Sequence, residues 1–559
     1  MNKLREYWNI LYGNKNISLL ENFLKYLDES KSNIKSSFSD KEWYSNAVVY
    51  SLYVDLFNKN FEGLQEKLLY LKDLGVNCIW LLPVLESPMR DAGFDISDYR
   101  KIRSELFCKK YSESERENKF QDFLNEAHTQ GLKIIFDIAI NHTSNQHNWF
   151  QEAIKSPDSK YRDYYIWSDD DKKYSDARII FKGMLNSNWE KLDNHYYFHR
   201  FFEFQPDLNY KNPEVLLEMS KNFIYWIQQG VDGFRADAIP YLWKEEGTDC
   251  ENLPKTHIVV KFFRAVIDYL KPGTLLLAEA CQRPKEVVKY MGDGDECHAG
   301  YHFPLMPQIF KTLALQSGEP IKYVLSEEIT PKIPDACQWF TFLRCHDELS
   351  LELVYVSEKD RSFIHSSYCH NPEWDFREGE GISARLSELM LNDPKKILLA
   401  YSIMFTLPGT PVIYYGDEFA KRNDIEYYKN MIKHTGHDDT RFLVRGRVDW
   451  EYVNKQISKS SGIENEVFFG IKKMLEIRNN LKLFGKANIE WIEAETGLLV
   501  YTRTNKKNKV LIVNNLTDTS KILNFNSLKN LKCLFSNELY ENIMSLNIAA
   551  NNYKWLLFV

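Results

Sequence analysis

From residue 46 onward, short apolar runs alternate with amphipathic stretches. NAVVYSLYV (46–54) leads to FEGLQEKLLYLKDLG (61–75), then VNCIWLLPV (76–84), then FQDFLNEAHTQG (120–131), then LKIIFDIAI (132–140). Continuous apolar runs of this length read as strands buried on both faces, and amphipathic stretches between them read as crossover helices. Repetition of strand, helix and parallel strand restricts the chain to an α/β architecture and predicts a TIM barrel. A helix over NPEVLLEMSKNFIYWIQQG (212–230) and a strand in GTPVIYYGDEF (409–419) continue the series. Between about 143 and 205 the alternation breaks into aromatic, charged sequence with little helical period, an insertion of the kind that serves function. Residues 1–45 read as a polar helical extension, 46–480 as the catalytic barrel with its insert, and 481–559 as short strands such as GLLVYTRT and YKWLLFV.

Composition excludes several classes of function. At 559 residues the chain is too long for one domain. A net charge of −7 gives no nucleic-acid footprint, and no apolar run approaches the length of a membrane span. MNKLREYWNILYGNKN has no apolar signal region. Nine dispersed cysteines without C-x-x-C spacing point to reduced thiols, hence a cytoplasmic protein, and no His/Cys cluster suggests a catalytic metal. A homo-oligomer stays open.

Four of the apolar runs end in residues that carry chemistry. They are GLKIIFDIAINHTS (131–144), VDGFRADAIPYL (231–242), TLLLAEACQ (274–282) and WFTFLRCHDEL (339–349). Burying an unpaired carboxylate costs several kcal/mol, so Asp237, Glu279 and Asp347 at strand ends need a reason. Parallel barrels collect their reactive groups at those ends, and converging carboxyls there are what cleavage of a glycosidic bond requires.

In order and spacing, the four segments resemble the signature regions of the α-amylase superfamily of retaining glycoside hydrolases. Gly233 to Asp237 matches its G-F-R-x-D, Glu279 its acidic strand end, and Cys345-His346-Asp347 its N-H-D. The resemblance implies a (β/α)8 barrel, an inserted domain after the third strand that lines the cleft, and a C-terminal antiparallel β-sandwich. It implies Asp237 as nucleophile and Glu279 as general acid and base, with Asp347 on the hydroxyls of the reacting glucose. Arg235, two residues before Asp237 on one strand face, favours the ionised carboxyl, although a lone R-x-D is more often a structural pair. The apolar strand before Glu279 favours the protonated acid. His142 and His346 resemble the family's two sugar-binding histidines.

MRDAGFDISDY (89–99) resembles G-Y-D-x-x-D-Y, which implies that Asp95 grips the terminal glucose and that Phe94 stacks on it in place of Tyr. Asp137 and Asn141 are either orienting or purely structural. Two departures stand out. Cys345 replaces the usual Asn, and the Asp/Asn/Gly-rich loop that can bind Ca²⁺ after the first strand is missing, so neither calcium nor a cofactor is expected.

Within the family, SPMRDAGFDISDY, YYFHRFFEFQPDLNYKNP and GDGDECHAGYHFPLM look like trehalose synthases, whereas HDDTRFLVRGRVDW (437–450) looks like amylosucrases. Arg441 and Arg445 in that loop either close over the pocket on an acidic partner or sit in solvent. The first expectation is a small-sugar enzyme that interconverts maltose and trehalose. The alternatives are a hydrolytic α-glucosidase or amylase, an amylosucrase-like transglucosylase, and a non-catalytic carbohydrate-binding protein.

Overall fold

In the computed structural model, which describes residues 1–34, 37–181 and 184–559, eight parallel strands close into a barrel. They are β1 (Val49–Leu52), β2 (Cys78–Leu81), β3 (Lys133–Ala139), β4 (Gly233–Asp237), β5 (Leu275–Ala278), β6 (Ala299–Tyr301), β7 (Gln338–Phe342) and β8 (Thr410–Tyr414). Strand β1 pairs with both β2 and β8, which closes the ring. Local chemistry sets the boundaries of the outer helices. Helix Pro213–Gln229 starts on Asn212, whose side chain accepts from the Glu214 amide, and it stops at Gly230 with φ 103°. Glu113–Thr129 opens with a reciprocal Ser112/Glu115 capping box. Gly233 has a packing reason. A Cβ there would meet Leu275 Cβ at 2.6 Å and its carbonyl oxygen at 2.7 Å, so β4 and β5 could not approach as they do.

The insert leaves after β3 and holds a small sheet of Trp167–Ser168, His195–Phe198 and Trp189–Leu192. Ile180, Phe181, Phe202 and Phe204 of the insert form one cluster with Ala238 and Tyr241 just beyond β4, so the insert roofs the barrel mouth. Residues 182–183 of the insert, and 35–36 of the N-terminal segment, lie outside the described residues. Helices Asn2–Tyr12 and Ile17–Ser32 are no loose appendage. Leu4, Trp8, Leu20 and Leu27 belong to the barrel's own core, and the Phe23 and Phe262 rings meet at 6.0 Å.

The C-terminal β layer is one continuous antiparallel ladder of six strands, with Asn488–Ile492 and Leu539–Ile548 at its edges and Tyr553–Phe558 inside it. Alternation gives it two buried faces. Leu499, Tyr501, Ile512 and Trp555 join the barrel core, while Leu498, Val500, Leu511 and Val513 enclose a second core with Leu523, Leu531 and Leu546. The layering expected of a sandwich comes from a single sheet, bent at the register shift between Asn524 and Leu528. Tyr501 Oη lies 2.6 Å from Thr406 Oγ1, and Trp555 Nε1 donates to Ser402 Oγ at 3.0 Å, docking the sheet on the barrel.

Candidate active site

Strand period and register build the centre. Arg235 and Asp237 share a face of β4, and β3 sets Asp137 opposite Arg235. Arg235 Nη1 donates to Asp137 Oδ1 at 2.5 Å and to Asp237 Oδ1 at 2.8 Å. Trp80 Nε1 donates to the other Asp137 oxygen at 2.9 Å. Asp137 thus fixes Arg235, and Arg235 fixes Asp237. Among the described residues no donor reaches Asp237 Oδ2, which leaves that oxygen free to react.

Just past β4 the chain turns sharply at Ala238 (φ 58°), and the Ala238 amide donates to Glu279 Oε2 at 3.1 Å. Burial pushes Glu279 up to about 7, with Arg235 pulling it down and Asp237 pushing it further up. A carboxyl that keeps its proton near neutrality can act as a general acid.

Asp347 is held differently. Burial alone would raise it, but His346, Arg441 and Arg445 keep it well below the usual carboxylate range. His346 Nε2 lies 3.0 Å from Asp347 Oδ2, while Arg445 Nη2 and Arg441 Nη1 lie 2.9 and 3.3 Å from Oδ1. Arg445 also donates to the His346 carbonyl at 2.7 Å, so the 437–450 loop, which the sequence could equally place in solvent, folds onto the site. Burial pulls His142 and His346 below the ordinary imidazole value, while neighbouring carboxylates push them back up. The His346 ring stacks on Phe94 at 5.4 Å.

One cavity of about 140 Å³ joins these groups. Of the nine expected site residues, Phe94, His142, Arg235, Asp237, Glu279, His346, Asp347 and Arg441 line it; Asp95 does not. Asp95 is buried among donors of its own turn, accepting from Ser87 Oγ at 2.9 Å and from the Arg90 and Asp91 amides at 3.1 and 3.2 Å. The wall residue is Asp91, which accepts from Gln205 Nε2 at 3.0 Å and lies 3.7 Å from Arg441 Nη2. Two consecutive left-handed residues, Ala92 (φ 49°) and Gly93 (φ 97°), reverse the chain between the two acids and send one outward and one inward.

Sequence reasoning also missed the roof. Arg178 of the insert pairs with Glu251 at 2.8 Å and reaches Glu352 at 3.6 Å. Arg377 pairs with Glu352 at 2.8 Å and donates to the Ile180 carbonyl at 2.7 Å. Phe181 lies under the guanidiniums of both Arg377 and Arg441. Buried in this network, Glu352 would rise, but Arg377 and Arg178 hold it below its ordinary value. The signal available was the density of aromatic residues in a stretch without period. Asn141 turns out to be an anchor. Its Oδ1 accepts from the buried Lys244 Nζ at 2.8 Å, and Nζ also lies 2.7 Å from Asp207 Oδ2, so one ammonium ties β3 to the insert and to the loop after β4.

Comparison with known proteins agrees with this geometry. The profile of the alpha amylase catalytic domain matches residues 58–486. "Trehalose synthase/amylase TreS" of Mycolicibacterium smegmatis is 45% identical over 393 residues, which is 68% of this chain and 64% of that protein. Trehalose synthases of Thermus thermophilus and Pimelobacter sp. are 39% and 36% identical over 86% of this chain, and over 51% and 88% of their own lengths. The chain thus spans about half to two thirds of the length of several of these relatives. Among solved structures, a trehalulose synthase superposes with a TM-score of 0.71 at 20% identity, covering 92% of this chain and all of that one, and so speaks for the fold. On its signature residues, its barrel and these matches, the chain belongs to the α-amylase family.

Proposed function

We propose that this protein is a retaining α-glucosyl transferase that interconverts maltose and trehalose. The observation that carries this reading is the roof. Arg178, Glu352 and Arg377 bridge the insert to the loop after β7 over the cavity that holds Asp237, Glu279 and Asp347. A closed site keeps water out and a cleaved glucose in, which isomerisation needs and hydrolysis does not. The names of the relatives over two thirds or more of this chain support the same substrates.

Glu279 gives its proton to the glycosidic oxygen as Asp237 Oδ2 attacks the anomeric carbon. The C–O bond breaks, a glucosyl ester forms on Asp237, and glucose is released into the closed pocket. Asp347, His346 and His142 grip the hydroxyls of the bound ring, and Asp91 with Arg441 stops its far end. The released glucose turns and presents its anomeric hydroxyl. Glu279 takes that proton, the oxygen displaces Asp237, and an α,α-1,1 linkage results. All nine cysteines are free thiols, which supports a reducing, cytoplasmic setting.

Product analysis from maltose tests this. Trehalose should appear with a minor share of free glucose. Glucose alone at every time point would identify a hydrolase, and fructose release with glucan growth from sucrose an amylosucrase-like enzyme.

A further inference from the structure

One pocket residue has no part in the proposed reaction. Cys345 stands where the family signature carries Asn, is a free thiol, and lines the cavity beside the reacting carboxyls. A donor atom of Cys345, one of His346 and one of Asp347 all lie within 4.8 Å of one another. His346 is almost fully buried, and its Nδ1 has no hydrogen-bond partner, so the ring is not committed through both nitrogens. Replacing an amide by a thiol changes the donor set from nitrogen and oxygen alone to sulfur, nitrogen and oxygen. That set suits a soft or borderline dication and is poor for Ca²⁺ or Mg²⁺.

We propose that Cys345, His346 and Asp347 form an inhibitory site for a thiophilic divalent cation, with Zn²⁺ and Cd²⁺ as its simplest ligands. Tetrahedral bonds of about 2.0–2.3 Å place donors roughly 3.3–3.8 Å apart, so side-chain rotation of about an ångström closes the set. Binding exchanges the thiol proton for the metal: the S–H bond breaks, an S–metal bond forms, the proton leaves to water, and no electrons are transferred. One ring nitrogen of His346 and one carboxyl oxygen of Asp347 take the second and third positions. Arg441 and Arg445 oppose the incoming charge, while Asp237 on the same cavity favours it. A metal held here removes two of the three side chains that grip the sugar, so it and the sugar exclude each other. Only that competition rests on the proposed function; the site itself does not.

The test is a titration of the full chain with CdCl₂, followed by the ultraviolet sulfur-to-cadmium charge-transfer band. Cys108→Ser serves as the background, because Cys108 is the exposed thiol. One Cd²⁺ per chain should produce the band, Cys345→Asn and Cys345→Ser should both abolish it, and maltose should lower its apparent affinity at least several-fold. In the same background Zn²⁺ should inhibit competitively with maltose, reversibly by EDTA. Near-ultraviolet circular dichroism reports whether each variant is folded. An unchanged band in a folded Cys345→Asn chain would overturn the site. A band lost with Cys345 but indifferent to maltose would keep the metal site and overturn its placement in the sugar pocket.

Discussion

Asp237 and Glu279 differ in how they are held, and the difference predicts distinct failures. Asp237→Asn keeps shape but cannot form an ester, so kcat should fall by more than about a thousandfold with the fold intact. Glu279→Gln should lose activity on maltose yet recover ester formation with α-glucosyl fluoride, whose leaving group needs no proton. With Glu279 at about 7, turnover of maltose should decline as pH rises through 7, and that limb should vanish with the fluoride. The raised value also carries a sign for stability. Between the unfolded value of 4.5 and about 7 the native state binds more protons, so this group costs stability as pH rises, at most about 3 kcal/mol. Glu279→Gln should therefore raise Tm at pH 8 more than at pH 5 in a thermal scan. Asp91 and Asp95 separate the same way. Asp91→Asn should lower kcat/KM for maltose with little change in Tm, whereas Asp95→Asn, which breaks a buried turn, should lower Tm first. The sequence alone could not tell these acids apart. Three residues separate them, and the left-handed pair Ala92–Gly93 that points them in opposite directions leaves a trace only in the glycine.

At the level of elements, what could be read from sequence follows from periodicity. Strands β3, β4, β5 and β7 are apolar runs with an acid or amide at or soon after the end, and an alternation of strand and helix cannot place those ends apart. The insert has no such period. Its role depends on long side chains reaching other loops, as Arg178 reaches Glu251 and Glu352, and no local pattern encodes that. If the roof retains glucose, Arg377→Ala and Glu352→Gln should raise the ratio of free glucose to trehalose several-fold while leaving β3 to β5 untouched. Timed chromatography of both products reads this ratio; equal losses of both products with no change in ratio would remove the roof from the argument. Removing Arg377 also frees the Ile180 carbonyl, so the insert should loosen first in hydrogen exchange.

Across the whole molecule, helices at the N-terminus, the barrel, the insert and the C-terminal sheet share one continuous core, with a second one inside the sheet. Unfolding should be cooperative between barrel and sheet, because Tyr501, Ile512 and Trp555 are buried on the barrel side. Lys244 is one of the buried cations that anchor the insert. Lys244→Met leaves Asp207 unpaired in a fully buried position, which should cost about 3–5 kcal/mol in urea unfolding. Activity on maltose should be unchanged by EDTA, because the Asn141 oxygen that would suit a hard cation already accepts from Lys244. Loss of kcat under EDTA that Ca²⁺ restores would point to a different cation site.

A tethered ammonium has a property that a dissolved ion lacks. Its local concentration is set by the chain, one per molecule, at any dilution. The joint between Asn141 and Asp207 has no binding isotherm, so chelators, phosphate or a fall in free metal cannot empty it. The geometry of this joint is thereby decoupled from the ionic composition of the surroundings, and what remains able to undo the clamp is loss of the proton on Lys244, which burial makes easier despite Asp207.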